Sequence, residues 1–280
     1  FIKNNFNFQY CSQCNSLFNS PRPTQNSFNS FYPKSKSSKY FFESFYPAVE
    51  ESRKVKLIPE RVERVASFIN QMDKNKKVIL DIGGGQGFFF DLLQLQFPDF
   101  EYRVIEPNAE LAQVCINKGH KTIIDFVENV TEWESEVDFI VCFEVFEHIV
   151  NPIDFLGKFK RMLKPGGKLL IATPNSNDIM LKLIPLEFKS FFYRKVHRWY
   201  FDTSSLSFTA KKAGFIIEEE SQLHTMNMSN MLSWLSTKKP TGNNSTFDGI
   251  NRQADSLWST YLEQTGQADT LFLTLSKPCK

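Results

Sequence analysis

The sequence predicts an α/β fold: a doubly wound, mostly parallel sheet covered by helices on both faces, with a small appendage at its N-terminal end. Three observations carry that prediction. From about residue 76 onward, short apolar strand candidates alternate with stretches of helical spacing, and strands joined through helices run parallel and are buried on both faces. Four of the five residues 83–87 are glycine, set directly after the first of those strands and before a helical stretch. Residues 1–40 show no sustained period and are rich in Asn, Ser, Pro and Phe, which suits turns more than a second layered core.

The elements follow in order. The leader, 1–40, is expected to be loop-rich and carries a close cysteine pair. The main domain, 41–280, opens on a helix in which Val62, Val65, Ala66 and Ile69 recur at helical spacing behind Pro59, a residue tolerated in a first helical turn. Seven strand candidates come next: 78–82, 102–106, 121–124, 138–143, 168–173, 215–219 and 270–275. Helical stretches such as "NAELAQVCINKG" and "PIDFLGKFKRML" separate the earlier ones. The connection 175–202 is long for a strand-to-helix link and reads as a substrate lid. Residues 221–266 read as a helical insertion that either caps the pocket or forms a dimer face, though helix packing alone would explain its Met and Trp residues.

Composition narrows the class. Charged residues make up 23% of the chain and the net charge is only +2, so nothing requires a polyanionic partner. No apolar run reaches the roughly 20 residues of a spanning helix and no signal sequence opens the chain, so a soluble, cytoplasmic protein without a membrane partner is expected. Five cysteines, odd in number and scattered save for one pair, argue against a disulfide framework and for a reducing compartment. The chain opens on Phe1 and not Met, which leaves room for residues upstream. Oligomeric state is not legible.

The glycine stretch "LDIGGGQG" is the strongest single signal. Glycines at a strand-to-helix junction tighten the turn and let main-chain N–H groups come close to a ligand, at the carboxyl edge where open α/β sheets bind their ligands. A dinucleotide fingerprint would be G-x-G-x-x-G, and the alignment through Gly83 and Gly85 meets Phe88 at the third glycine. The observed pattern is Asp81-x-Gly83-x-Gly85-x-Gly87, with Gly84 inside it and Glu106 closing the next strand in "VIEPN". An acid there can accept both hydroxyls of a ribose.

"LDIGGGQG", "VIEPN", "VDFIVCFEVFEHIVNP" and "LKPGGKLLIATPN", in that order and at those separations, resemble the successive motifs of class I S-adenosylmethionine-dependent methyltransferases over about residues 60–275. The resemblance implies a seven-stranded sheet whose last strand is antiparallel, which "ADTLFLTLSKP" fits. It implies S-adenosylmethionine as cofactor, with Asp81, Gly83, Gly84, Gly85 and Gly87 around its methionine and ribose parts and Glu106 on the ribose hydroxyls. Asp125 and Phe126 fall at the adenine position, and Cys142 belongs to the same cofactor-binding set.

Methyl transfer from a sulfonium needs a protein group to orient the acceptor and take its proton. Glu144, Glu147 and His148 fall at i, i+3 and i+4 after the fourth strand; the spacing matches no helical metal motif. His148 either orders the loop at the strand end or acts as a base, and Glu144 faces the methionine moiety or the substrate. His197, in the "HRWYF" run of the lid, is a second candidate for the catalytic pocket. The lid mixes basic residues with Phe191, Phe192, Tyr193, Trp199 and Tyr200, which suits a flat anionic acceptor or else an ordinary amphipathic helix.

Cys11-x-x-Cys14 supplies two of the four ligands of a structural zinc and resembles the zinc-binding leader of some sugar methyltransferases, where another pair lies upstream; two plain thiols are the alternative. The expected function is methyl transfer to a small polar acceptor, such as a sugar or nucleotide-sugar. Competing readings are an RNA methyltransferase, disfavoured by the near-neutral charge, an NAD-dependent oxidoreductase, disfavoured by the glycine spacing, and an inactive scaffold keeping the fold.

Overall fold

The computed structural model describes residues 2–3, 6–31, 35, 40, 51, 53–72, 75–239 and 252–279. Its main sheet has seven strands in the order β10-β11-β8-β7-β4-β5-β6. These are β4 (Val78–Ile82), β5 (Glu101–Ile105), β6 (Lys121–Ile123), β7 (Val137–Phe143), β8 (Leu163–Pro174), β10 (Ile216–Leu223) and β11 (Thr270–Ser276). Strands β8, β7, β4, β5 and β6 pair in parallel, and β11 lies antiparallel between β8 and β10. The expected doubly wound sheet with an antiparallel last strand is therefore present.

Strands β4, β7 and β11 are buried along nearly their whole length, as central strands covered on both faces must be, and this is why their sequences read as unbroken apolar runs. Edge strand β10 runs four residues beyond its sequence signal, through Glu220, Ser221, Gln222 and Leu223, where a mostly polar edge gives no apolar run, and Glu218, Glu219 and Glu220 are exposed along it. Charge at an edge discourages pairing with other chains. One apolar cluster around Leu80, Ile140 and Phe159 fills one face of the sheet and a second around Ile79, Phe90 and Phe139 fills the other.

Helix α2 (Ile58–Ile69) precedes β4, as its apolar spacing predicts, with Pro59 in its first turn. The βα helices are α3 (Phe88–Gln96), α4 (Ala109–Asn117) and α5 (Pro152–Met162). Asn108 and Asn151 cap α4 and α5 by accepting from main-chain N–H groups. Residues 175–202, the segment expected to be a lid, hold two short helices, α6 (Met180–Leu183) and α7 (Pro185–Phe192), followed by α8 (Thr203–Lys212) with an Asp202–Ser205 capping box. Helices α9 (Met228–Thr237) and α10 (Arg252–Gln264) form within 221–266; residues 240–251 of that segment lie outside the described residues.

The leader differs from the loops expected of it. Strands β1 (Ile2–Lys3), β2 (Phe6–Tyr10) and β3 (Leu17–Ser20) form a four-stranded sheet with β9 (Trp199–Tyr200) of the main chain segment. Each alternation is only two to five residues long, too short to stand out from turn residues, and its inward residues Phe8 and Leu17 pack on Tyr193, Tyr200 and Trp234 in a third apolar cluster. The leader also contains helix α1 (Gln25–Phe31).

Candidate functional site

The glycine turn lies between β4 and α3. Gly83, Gly85 and Gly87 all have positive φ, at 72°, 55° and 75°, the region that costs a residue with a Cβ roughly 1–2 kcal/mol. A Cβ at Gly83 would come within 2.6 Å of Val145, and one at Gly84 within 2.9 Å of Val104, whereas one at Gly85 would meet nothing within 4 Å. So Gly83 and Gly84 are glycine because of packing, and Gly85 faces open space. Behind the turn, the Cys115 thiol donates to Gly85 O at 3.3 Å and Lys118 Nζ to Gln86 O at 2.8 Å.

Glu106 stands beside the turn. One carboxylate oxygen accepts Gly85 N–H at 3.0 Å and the other accepts Asn108 N–H at 2.9 Å. Each oxygen keeps a further lone pair for a ligand hydroxyl. Burial raises the Glu106 pKa even though these two amides oppose it. Asp81 is buried at the end of β4 and pushed up to about 7 by desolvation, against the pull of Arg61 and with a smaller push from Glu106. Asp125 accepts from Phe126 N–H at 2.6 Å and from Asn129 Nδ2 at 2.7 Å, which fixes the loop after β6 with Phe126 half-buried. Cys142 is wholly buried within the sheet's core cluster and pairs with Ile82 on one side and Ile171 on the other, so it supports the strand end from within the core.

Arg61 is the residue that strand and motif reading missed. It is 5% exposed on α2, its guanidinium bonds Glu144 Oε1 at 3.0 Å, and it lies 4.7 Å above the Phe143 ring. Its signal was present as a lone cation on the apolar stripe of Ile58 and Val65. Glu144 itself adopts φ +57°, a conformation that is an outlier for a long side chain and gathers at functional sites. Its N–H bonds Ala172 O at 2.9 Å, so the strained residue is tied to both β8 and α2.

The two candidate histidines, 49 positions apart in sequence, meet. The His148 and His197 rings lie 4.7 Å apart at 88°, edge to face. His148 Nδ1 is 3.1 Å from Val196 O; a carbonyl only accepts, so Nδ1 carries the hydrogen and Nε2 keeps its lone pair. Burial lowers His148 to about 4 and His197 well below the usual histidine range, so both rings are neutral. Glu147 is buried, accepts from Thr173 Oγ1 at 3.2 Å, and is raised to about 8, first by desolvation and then by Glu144. Among the described residues, Glu147, His148 and His197 bring their ligand atoms within 4.8 Å of one another. A metal ion would find donors there that linear spacing did not reveal, because His197 comes from the lid.

The lid's aromatics turn mainly inward: Phe188, Phe192, Tyr193 and Tyr200 belong to the third cluster with Trp234. Arg198, 2% exposed, donates to Lys195 O at 2.8 Å and lies over Phe6. Cys11 and Cys14 form a turn with Asn15 at positive φ. Main-chain N–H groups of Gln13 and Cys14 lower the Cys11 pKa, and the Cys14 thiol is 3.0 Å from Ser16 Oγ. The turn supplies two sulfurs, and among the described residues no third metal-binding group joins them.

Comparison with known proteins agrees with this geometry. The family described as "Methyltransferase domain" matches residues 52–220. The ubiquinone biosynthesis O-methyltransferase of Actinobacillus pleuropneumoniae serotype 7 (strain AP76) is 30% identical over 143 residues, which cover 47% of this chain and 60% of that one. The enzyme of the same name from Rickettsia prowazekii (strain Madrid E) is 31% identical over 117 residues, 41% of this chain and 46% of that one. The chain thus spans about 60% or less of these curated relatives. A structure of Burkholderia thailandensis 1,6-didemethyltoxoflavin-N1-methyltransferase, with bound 1,6-didemethyltoxoflavin and S-adenosylhomocysteine, superposes with a TM-score of 0.57 at 13% identity, covering 97% of this chain and 99% of the other, and so shares its fold. With more than half of its length matched by that family and the sheet order of a class I fold, the chain belongs to the methyltransferase domain family, in its class I, S-adenosylmethionine-dependent fold.

Proposed function

We propose that this protein transfers the methyl group of S-adenosylmethionine to a hydroxyl of a small polar acceptor, with the His148–His197 pair taking the acceptor's proton. The cofactor fits the residues present. The open face at Gly85 admits close approach, Glu106 has lone pairs free for the ribose hydroxyls, and Asp125 and Phe126 flank the adenine position. Arg61, beside Asp81 and Glu144, suits the cofactor's α-carboxylate, while Asp81 suits its ammonium group. When bound, the cofactor supplies an electrophilic methyl group on a positively charged sulfur.

The chain's own residues then orient the acceptor and manage one proton. Held by Gly85, Glu106, Arg61 and Asp81, the cofactor would supply its methyl group to the acceptor oxygen, with sulfur keeping the bonding pair, and the acceptor's proton would be left for this chain to take. The hydroxyl proton passes to His148 Nε2, which lies 3.9 Å from Glu147 Oε1. A buried imidazolium formed there is costly, and the Glu147 carboxyl beside it offsets that cost in the fraction of molecules in which it is ionised. The carrying observation is the neutral, edge-to-face histidine pair built from two separate segments beside the strained Glu144.

A sugar or nucleotide-sugar acceptor is one form of this reading, supported by the resemblance of the Cys11–Cys14 turn to zinc-binding leaders. A phenolic acceptor is the other, supported by the names of the curated relatives. A screen with labelled cofactor across nucleotide-sugars and catechols separates them. Zinc, if held, would be bound by Cys11 and Cys14 together with two ligands from elsewhere. With whichever acceptor the screen selects, His197→Ala lowers turnover at least roughly tenfold while cofactor affinity measured by calorimetry stays nearly constant; an equal loss in both would contradict the assignment.

A further inference from the structure

We infer that Asn19, in the leader, is a positioning residue for the candidate active site: it fixes the main chain of His197 and Arg198 and thereby sets the His197 ring against His148. The inference rests on the proposed role of the histidine pair, and three carbonyls in a row show how it works. Val196 O is met by His148 Nδ1 at 3.1 Å, His197 O accepts from Asn19 Nδ2 at 3.2 Å, and Arg198 O accepts from Asn19 N–H at 3.1 Å. Arg198 N–H in turn donates to Glu147 O at 2.7 Å. The His197 segment is therefore gripped from one side by the loop after β7 and from the other by a single leader residue.

Asn19 is completely buried, yet among the described residues its Oδ1 has no partner. An unpaired buried amide oxygen is costly, and a β-branched or apolar residue would fill strand β3 without that cost. What Asn19 adds over such a residue is the donor to His197 O. The rest of the leader reinforces the grip: Phe18 lies 5.4 Å from Trp199, and Arg22 sits over the Trp199 ring at 5.0 Å. At its far end the leader reaches the adenine side of the site, where Gln25 of α1 donates to the Glu128 carboxylate.

The chain has four histidines, His120, His148, His197 and His224, which makes the test clean. Imidazole nitrogen spectra of histidine-labelled protein, saturated with S-adenosylhomocysteine, are compared for wild type, Asn19→Ala and the isosteric Asn19→Asp. Both variants shift the His197 and His148 resonances and leave His120 and His224 in place, and turnover falls roughly tenfold at a cofactor affinity within twofold of wild type. In a His197→Ala background, Asn19→Ala adds little further loss of turnover. Unmoved His148 and His197 signals, or all four moving together, overturn the inference. A His197→Ala protein with full turnover would instead count against the catalytic reading while leaving the spectral test of positioning intact.

Discussion

At the scale of single residues, the glycine turn separates two reasons for having no side chain. Gly83 is barred from a Cβ by Val145 at 2.6 Å as well as by its positive φ, while Gly85 has the positive φ and empty space beyond it. Alanine at Gly83 therefore strains the fold itself. Alanine at Gly85 adds about 1–2 kcal/mol of backbone strain and nothing more in the free protein, but places a methyl group where a ligand must pass. The expected outcome is a Gly85→Ala protein that melts close to wild type and binds S-adenosylmethionine at least roughly tenfold more weakly, as calorimetry would show. Full affinity in that variant would mean that nothing approaches the turn at Gly85.

Among the elements, helix α2 does more than cover the sheet, since it delivers Arg61 beneath the strained Glu144. Removing the guanidinium while keeping the stem, as in Arg61→Met, retains packing on Phe143 and leaves Glu144 without its partner. Because Glu144 is one-third exposed, solvent screens the loss, and a stability change of about 1–2 kcal/mol is expected. Cofactor affinity should fall more steeply, at least roughly tenfold, if the guanidinium meets a carboxylate of the ligand; equal affinity for wild type and variant in calorimetry would remove Arg61 from the site. The strands and the glycine turn were legible because their signals are local: apolar runs, glycines and an acid at a strand end. Arg61, Asn19 and the meeting of His148 with His197 were not, because each depends on which distant segments pack together. The leader's strands escaped because their local pairs are only two to five residues long, and β3's second partner, β9, lies about 180 residues further along the chain.

Across the whole molecule, the site stores a set of protonation states that water would not choose, and these tie stability to pH. Asp81 and Asp178 are pushed up to about 7 and Glu147 to about 8, all chiefly by burial. At these three positions the folded protein binds more protons than the unfolded chain from about pH 4 to 8, and they lower stability as pH rises through that window. His148, held down to about 4, and the buried His197 act oppositely: the unfolded chain binds the extra protons up to about 6.5, so their contribution rises with pH and levels off there. Above 6.5 only the acids remain in play. The ligand-free protein should thus lose on the order of 1–3 kcal/mol between pH 6.5 and 8.5, a drop of several degrees in melting temperature. If S-adenosylmethionine binds as proposed, its ammonium and sulfonium charges would favour the ionised Asp81 and draw a proton off it, reversing part of this loss. Binding should accordingly tighten with pH across 6–8 and release protons, read by calorimetry in two buffers of different ionisation enthalpy, and Asp81→Asn should abolish the proton release and remove its own share, roughly a quarter, of the alkaline loss of stability. A melting temperature flat from pH 6.5 to 8.5, with no proton exchanged on binding, would show that Asp81 is already ionised in the free protein and that its burial is relieved by solvent.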